Sequence, residues 1–600
     1  MNKFFRRIVF LLVILSSVNF SAFSSETYSL QLSDTLEIPF FDDFSYCTDF
    51  PDENLWVNKG TNISTNLPKN PPSIGALVFD ALDTDKKFYK SASYGSVCAG
   101  DTVETKPINL YYPNEKSVYL SFYYQGGGYG DRPESTDSLC LDFYSPLDDK
   151  WTTVKRYEGA QYNFFKQEII NISERKFLQK GFRFRFRNYF SLGSSLQPDL
   201  VSNCDFWMVD YVKLDKNRNE ADSVYNDVSL TALPVLKVGD YQSVPWQHYK
   251  FNPEPVTPQY TINYRNNDDK ARLLDSINLT LTHDGVDDKF ALGTFNMPGY
   301  MDFVNTNSEF LYIFDSKLDS SANYEVTVKL VSDVTSMDFA GNNQITVGKE
   351  FYNYYAYDDG TAEAAYGLHG EGSTGGFCAV RFVTLKPDKL NGVNMYFCPV
   401  FNDAQAGFFN LKVWNCVNGL PSTEIYSKDN VAVPKDKTNQ FVFVPFDELI
   451  QVTDTFFIGW EKLYPQILAL GFDKNTAVPN NKFYNLGGTW KKSSESGQIM
   501  IRPTFGYLKT PVNEVVDNNK TVKKTVKIFP NPASDYITLQ LSCADCVKIP
   551  IDIYSIDGRK VKSLIINSQT TEIDVSDLPA GMYLVVSGKI YCREKLLIVR

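Results

Sequence analysis

Histidine is nearly missing from this chain. His248, His283 and His369 are the only three, and they lie far apart. A histidine-rich metal centre is therefore not expected, and neither is a set of histidine-dependent active sites. There is no Gly-x-Ser-x-Gly elbow and no His-Glu-x-x-His helix, which removes the commonest hydrolase signatures. Nor does Glu-x-Asp-x-x-Glu occur, the strand pattern that sets two glycosidase carboxylates on one face. Basic blocks are absent too: net charge is −12 and the pI is near 5. Nucleic acid is not expected as a partner, because phosphate binding needs clustered Lys and Arg. Beyond the first twenty or so residues no apolar run approaches the ~20 residues of a membrane-spanning helix. Helical periodicity is equally hard to find.

Aromatic residues are plentiful. Tyr (37) and Phe (44) bring the aromatic share to 15%, and Gly and Pro punctuate the whole length. That mixture suits strands and turns. Six hundred residues allow about three to five domains. The expected fold class is all-β and multidomain.

Residues 1–24 read as a signal peptide. Lys3, Arg6 and Arg7 precede an apolar run from Ile8 to Leu15, and Ala22-Phe23-Ser24 supplies small residues for cleavage. Export would place the ten cysteines in a disulfide-permissive compartment.

A first module is expected over 38–214. Gly181-Phe182-Arg183-Phe184-Arg185-Phe186-Arg187 alternates Phe on one face with Arg on the other, the pattern of a half-buried strand. Gln125-Gly126-Gly127-Gly128-Tyr129-Gly130-Asp131 lacks the Gly-Lys-Ser/Thr ending of a phosphate loop and reads as a flexible tip whose Tyr129, with Tyr123 and Tyr124, could face a ligand. With its Phe40-Phe41-Asp42-Asp43-Phe44 start and Trp207-Met208-Val209-Asp210-Tyr211-Val212 finish, the module resembles the MAM-like or concanavalin-like jelly rolls of surface proteins. The resemblance implies that first and last strands lie side by side. Asp42, Asp43 and Asp210 would then meet and could hold a structural calcium ion, or serve as hydrogen-bonded turn residues. The same adjacency implies Cys47 with Cys204, leaving Cys98 with Cys140.

Residues 228–349 form a second expected module. Tyr260–Asn266, Ile277–Thr282 and Tyr324–Leu330 alternate at the spacing of an immunoglobulin-like or fibronectin-like sandwich. It resembles bacterial adhesion-type spacer domains, and His283 reads as an exposed turn residue. A second jelly roll is expected over 350–508. It opens Tyr357-Asp358-Asp359-Gly360-Thr361-Ala362-Glu363, where Asp358, Asp359 and Glu363 are either calcium ligands or a solvated turn. Trp414, Trp460 and Trp490 are either core residues or a sugar-stacking platform.

The last module, 522–600, reads as a small antiparallel sandwich. Ile537, Leu539 and Leu541 share one strand face, and Cys543 and Cys546 lie in a loop where a local disulfide, or one to Cys592, is expected rather than redox chemistry. Pro530-Asn531-Pro532, the hairpin around Gly558, Leu578-Pro579-Ala580-Gly581-Met582-Tyr583 and the basic final strand closely match the type A C-terminal sorting domain of the type IX secretion system of Bacteroidota. This resemblance implies recognition by the outer-membrane translocon and sorting machinery, and a protein that is secreted or attached to the outer face of the outer membrane. No transmembrane span remains in the mature chain. For the jelly rolls, the expectation is binding of an extracellular glycan or protein, without catalysis. The alternatives are a secreted hydrolase with carboxylates dispersed on loops, and a structural surface-layer component. Beyond structural calcium, no cofactor is implied.

Overall fold

The structure is a computed structural model. It describes residues 35–600 except 47, 86, 161, 163, 193–204, 252–257, 284, 300–305, 315–321, 333–339, 404, 477, 479, 507–525, 542–548, 556–559, 567, 569 and 588–591. The signal-peptide residues, Cys47, Cys204, Cys543, Cys546 and Gly558 thus lie outside the described residues. No described helix is long and apolar enough to cross a membrane.

Antiparallel sheets make up the chain, and it divides into two compact units, Met1–Leu508 and Lys509–Arg600. In the first unit, residues 40–215 build two six-stranded sheets. Phe40–Asp42 runs antiparallel to Trp207–Asp215, with Phe40 opposite Leu214. Lys180–Ser191 sits at the centre of the other sheet, between Val97–Thr105 and Ser138–Ser145. Its period of two has the expected effect: Phe182, Phe184 and Phe186 are fully buried, packed with Phe40, Phe122 and Trp207 between the sheets. The intervening arginines face outward, where Arg185 and Arg187 both pair with Asp142.

The next pair of sheets has four and five strands, and is followed by two of six. These two sandwiches share one continuous core, from Val228 to Phe505, which Ile74 of the first sandwich also joins. The join is aromatic. Tyr241 stacks on Tyr357 at 4.5 Å, and its hydroxyl accepts the Val383 N–H (2.8 Å). The six-residue helix Trp246–Phe251 buries Trp246, His248 and Tyr249. A contact of this kind fixes neighbouring sandwiches, because interiors pack at crystal-like density and resist shear. The segment expected as a spacer is therefore built into its neighbour.

The second unit pairs a three-stranded with a four-stranded sheet over an aliphatic core of Ile537, Leu539, Ile551, Ile553, Ile573 and Ile598. Here the sorting residues have a structural reason. Asn531 Oδ1 accepts the Leu597 N–H (2.9 Å), and Ala533 bridges Ile598. The Pro530-Asn531-Pro532 turn is thereby stapled to the strand Cys592–Ile598. Tyr583 donates its hydroxyl to the Pro579 carbonyl (2.8 Å), closing the turn that precedes Gly581.

Candidate functional site

Segments from all three sandwiches of the first unit line a cavity of about 600 Å³. From the first sandwich come Asn66, Asn70 and Tyr129; from the second, Lys237, Thr261, Asn263 and Lys349; from the third, Asp359, Thr361 and Asn475. Cross-links hold the walls in place. Asn66 Nδ2 donates to Thr361 Oγ1 (2.5 Å) and Asp359 Oδ2 (3.2 Å), Asn475 Nδ2 donates to the same Asp359 oxygen (3.1 Å), and Gln242 donates to Thr476 (2.9 Å).

The glycine-rich stretch supplies one wall, and it is packed rather than a free tip. Gln125 grips the backbone of Lys69 from both sides, accepting its N–H and donating to its carbonyl (both 2.9 Å). Gly128 has φ +59°, and a Cβ there would meet the Leu67 carbonyl oxygen at 2.4 Å. Glycine is needed at that position for this close approach. The result sets Tyr129 on the cavity wall. Burial pushes Lys349 down to about 8, and Arg502 adds to the effect.

The acids of the third sandwich are arranged differently from the expected triad. Asp358 forms a buried ion pair with Arg502 (2.5 Å), and so does not join Asp359 and Glu363. Asp473 takes its place: it accepts the Asp359 N–H (2.8 Å), while Thr361 Oγ1 links Asp359 and Glu363. Burial, then Asp359, raises Asp473 to about 8. Burial, then Asp473 and Asp359, raises Glu363 well above the usual range.

In the first sandwich Asp43 and Asp210 do approach one another. Both are buried, and Asp43 adds to the burial that raises Asp210. Ser73 binds Asp210 (3.2 Å), and Asn342 of the second sandwich donates to Asp43 (2.9 Å) and Asp227 (3.1 Å). Asp42 turns elsewhere, accepting the Trp56 indole N–H (2.7 Å) and the Phe44 N–H. Burial raises it to about 7.

The expected Cys98–Cys140 disulfide is not formed; both are free thiols. They sit on strands flanking Lys180–Ser191, Cys98 opposite Phe190 and Cys140 opposite Arg187. A whole strand and three residues of register therefore separate them. Cys378, Cys398 and Cys416 are also free. Trp460 is fully buried in the shared core, and Trp414 is 5% exposed against Trp490 (5.3 Å). An open tryptophan platform does not form.

One cluster was not anticipated. Glu134, Asp137 and Asp205 bring one carboxylate oxygen each within 4.8 Å of one another, with Asp137 and Asp205 buried. Burial, then Asp137 and Glu134, pushes Asp205 up to about 11. Only Glu134-x-x-Asp137 is a local signal. Asp205 arrives from the start of the final strand and becomes a neighbour once the sheets close.

Residues 527–598 match the family described as secretion system C-terminal sorting domain. The protein is accordingly cargo of the type IX secretion system, secreted or attached to the outer-membrane surface. No curated protein matches the chain. Among solved structures, similarity extends to the CBM22-1–GH10 modules of a Clostridium thermocellum endo-1,4-β-D-xylanase complexed with xylohexaose. The identity is 13% over 32% of this chain and 29% of that one, with TM-score 0.18. A GH2 β-galacturonidase from Eisenbergiella tayi bound to galacturonate matches at 9% identity over 49% and 44%, TM-score 0.21. A protein of Bacteroides fragilis whose structure is titled a putative beta-galactosidase matches at 9% identity over 52% of this chain and 42% of that one, TM-score 0.21. The chain spans less than half the length of each. Likenesses this distant carry no argument; the all-β fold rests on the strand pairing of the chain itself.

Proposed function

We propose that the protein binds an extracellular glycan in the cavity between the three sandwiches. The observation that carries this reading is the polar part of the lining: amides, hydroxyls, the ammonium groups of Lys237 and Lys349, one carboxylate and the half-buried Tyr129, held by cross-links between separate sandwiches. Asn side chains donate and accept at once, which matches vicinal hydroxyl groups. A tyrosine ring offers an apolar face to a sugar ring, and a wall fixed before binding loses little entropy on binding.

Two-carboxylate glycoside hydrolysis needs acids flanking the bond at about 5–10 Å. Among the described lining residues Asp359 is the sole carboxylate. Behind it, Glu363 accepts the Lys474 N–H and Asp473 the Thr476 N–H. This favours binding over turnover. Residues 1–24 serve, on the same reading, as the signal peptide for the first export step.

A glycan array with the purified chain tests the proposal. Parent protein should retain a defined class of glycan, and Tyr129→Ala or Lys349→Gln should weaken that binding about thirtyfold, the effect of losing a contact worth about 2 kcal/mol. A silent array, or variants that bind like the parent, would reject the cavity as the site. Release of product from the retained glycan, lost in Asp359→Asn, would make the protein a hydrolase.

A further inference from the structure

Away from the cavity, the first sandwich holds Glu134, Asp137 and Asp205 at the meeting of two chain segments. Glu134 and Asp137 belong to the turn between the strands Tyr119–Gly126 and Ser138–Ser145. Asp205 stands just before Trp207–Asp215. Asp137 is 1% and Asp205 2% exposed, while Glu134 is open to solvent. Local hydrogen bonds orient the acids. Ser191 donates its N–H to Asp205 (2.9 Å) and its hydroxyl to Asp137 Oδ2 (3.0 Å), and the Glu134 N–H reaches the same Asp137 oxygen (2.9 Å). Ser191 Oγ also lies 3.5 Å from Glu134 Oε2.

Two features ask for a cation. The second carboxylate oxygen of Asp137, Oδ1, is buried and has no hydrogen-bond donor. Furthermore, among the described residues no lysine or arginine forms an ion pair with any of the three acids. Three carboxylates crowded together, two of them buried, repel one another and are costly without a counter-charge.

We infer that Glu134, Asp137 and Asp205 bind a calcium ion that ties the Asp131–Asp137 turn to the start of the last strand of the first sandwich. The donors are all carboxylate oxygens, the choice of a hard cation. Calcium takes oxygens at about 2.3–2.6 Å, so its ligands lie up to about 5 Å apart, and three carboxylate oxygens that all lie within 4.8 Å of one another meet that limit. Exposed Glu134 marks the side from which the ion and its remaining water ligands arrive. The site is separate from the glycan cavity and does not depend on it.

Calorimetric titration of the purified, EDTA-stripped chain with CaCl2 is the test. Saturable binding is expected at about 0.1–1 mM, the range of extracellular calcium modules. Asp137→Asn and Glu134→Gln should each weaken it by about tenfold or more, since affinity follows ligand charge, and Asp473→Asn should titrate like the parent. Glu134 is exposed, so its variant carries the test even if Asp137→Asn fails to fold. No calcium heat in the parent, or an unchanged isotherm in Glu134→Gln, overturns the inference. So does an isotherm lost in Asp473→Asn instead, which would move the ion to the third sandwich.

Discussion

Residues 1–508 bury Asp43, Asp137, Asp205, Asp210, Asp358, Glu363 and Asp473 along with their aromatic cores. In residues 509–600 the described buried side chains are apolar, with Ile and Leu predominating and Tyr583 the sole aromatic. Buried charge is costly, and it persists where it fixes a geometry or holds a ligand. An aliphatic core needs only volume and pattern. The first unit is thus organised around particular places, and the second around a stable shape.

Two arginines make the contrast testable. Arg502 in the first unit pairs with fully buried Asp358 and lies over the Phe441 ring at 3.9 Å. Arg502→Ala would leave that carboxylate without its partner, and breaking a buried pair costs about 3–5 kcal/mol. Chemical denaturation of the full chain should show this loss in the first unit, and hydrogen exchange should show the tail unaffected. A cost below about 1 kcal/mol, the value of a surface pair, would erase the distinction between the two regions.

Titration offers a second, slightly smaller separation. His248 is fully buried, with Nδ1 on the Tyr355 hydroxyl and Nε2 on Asp388 (both 2.9 Å). Burial pushes it down to about 4, against the opposing pull of Asp388. A depressed value means that the unfolded chain takes up the proton first. Stability from this group is therefore present above about pH 6.5 and drains away as pH falls towards 4. The difference corresponds to about 3 kcal/mol. Asp473 works in the opposite sense: raised to about 8, it stabilises at low pH and loses that contribution as pH rises. A difference measurement isolates the histidine. The stability gap between parent and His248→Gln should narrow by about 3 kcal/mol from pH 7 to pH 4. A constant gap would show that the imidazole titrates freely.

The sequence made some of this legible and hid the rest for a physical reason. Alternation within one strand is local, so the buried Phe182, Phe184 and Phe186 and outward Arg183, Arg185 and Arg187 could be read directly. The turn residues of the tail were equally plain, because Pro-Asn-Pro and Leu-Pro-x-Gly act through their own backbone. What escaped was assembly between distant segments. The six-residue helix Trp246–Phe251 is too short to show a period, yet it welds two sandwiches that looked like beads on a string. Asp358 and Asp359 are neighbours in sequence, but one pairs with Arg502 and the other lines the cavity, because they lie in the bend between the strands Gln344–Phe351 and Ala364–Tyr366. Cys98 and Cys140 seemed a natural pair by elimination, until Lys180–Ser191 was found between their strands.

The smallest expected effect lies in the tail. Arg600 donates to the carbonyls of Val575 (3.3 Å) and Leu578 (2.8 Å) and sits 3.4 Å from Asp535. It thereby joins the Leu578–Tyr583 turn to the segment following Pro532. The side chain is 38% exposed and Asp535 58%, so water competes for every one of these contacts. Arg600→Ala should cost about 1 kcal/mol, against several for Arg502→Ala. Its effect should be local: faster hydrogen exchange at 531–535 and 575–579, with the strands Ile549–Ser555 and Gly581–Ser587 unchanged. Uniform loss of protection across the tail would mean that this arginine holds the whole unit together, and that the tail, like the rest of the chain, is organised around a charge.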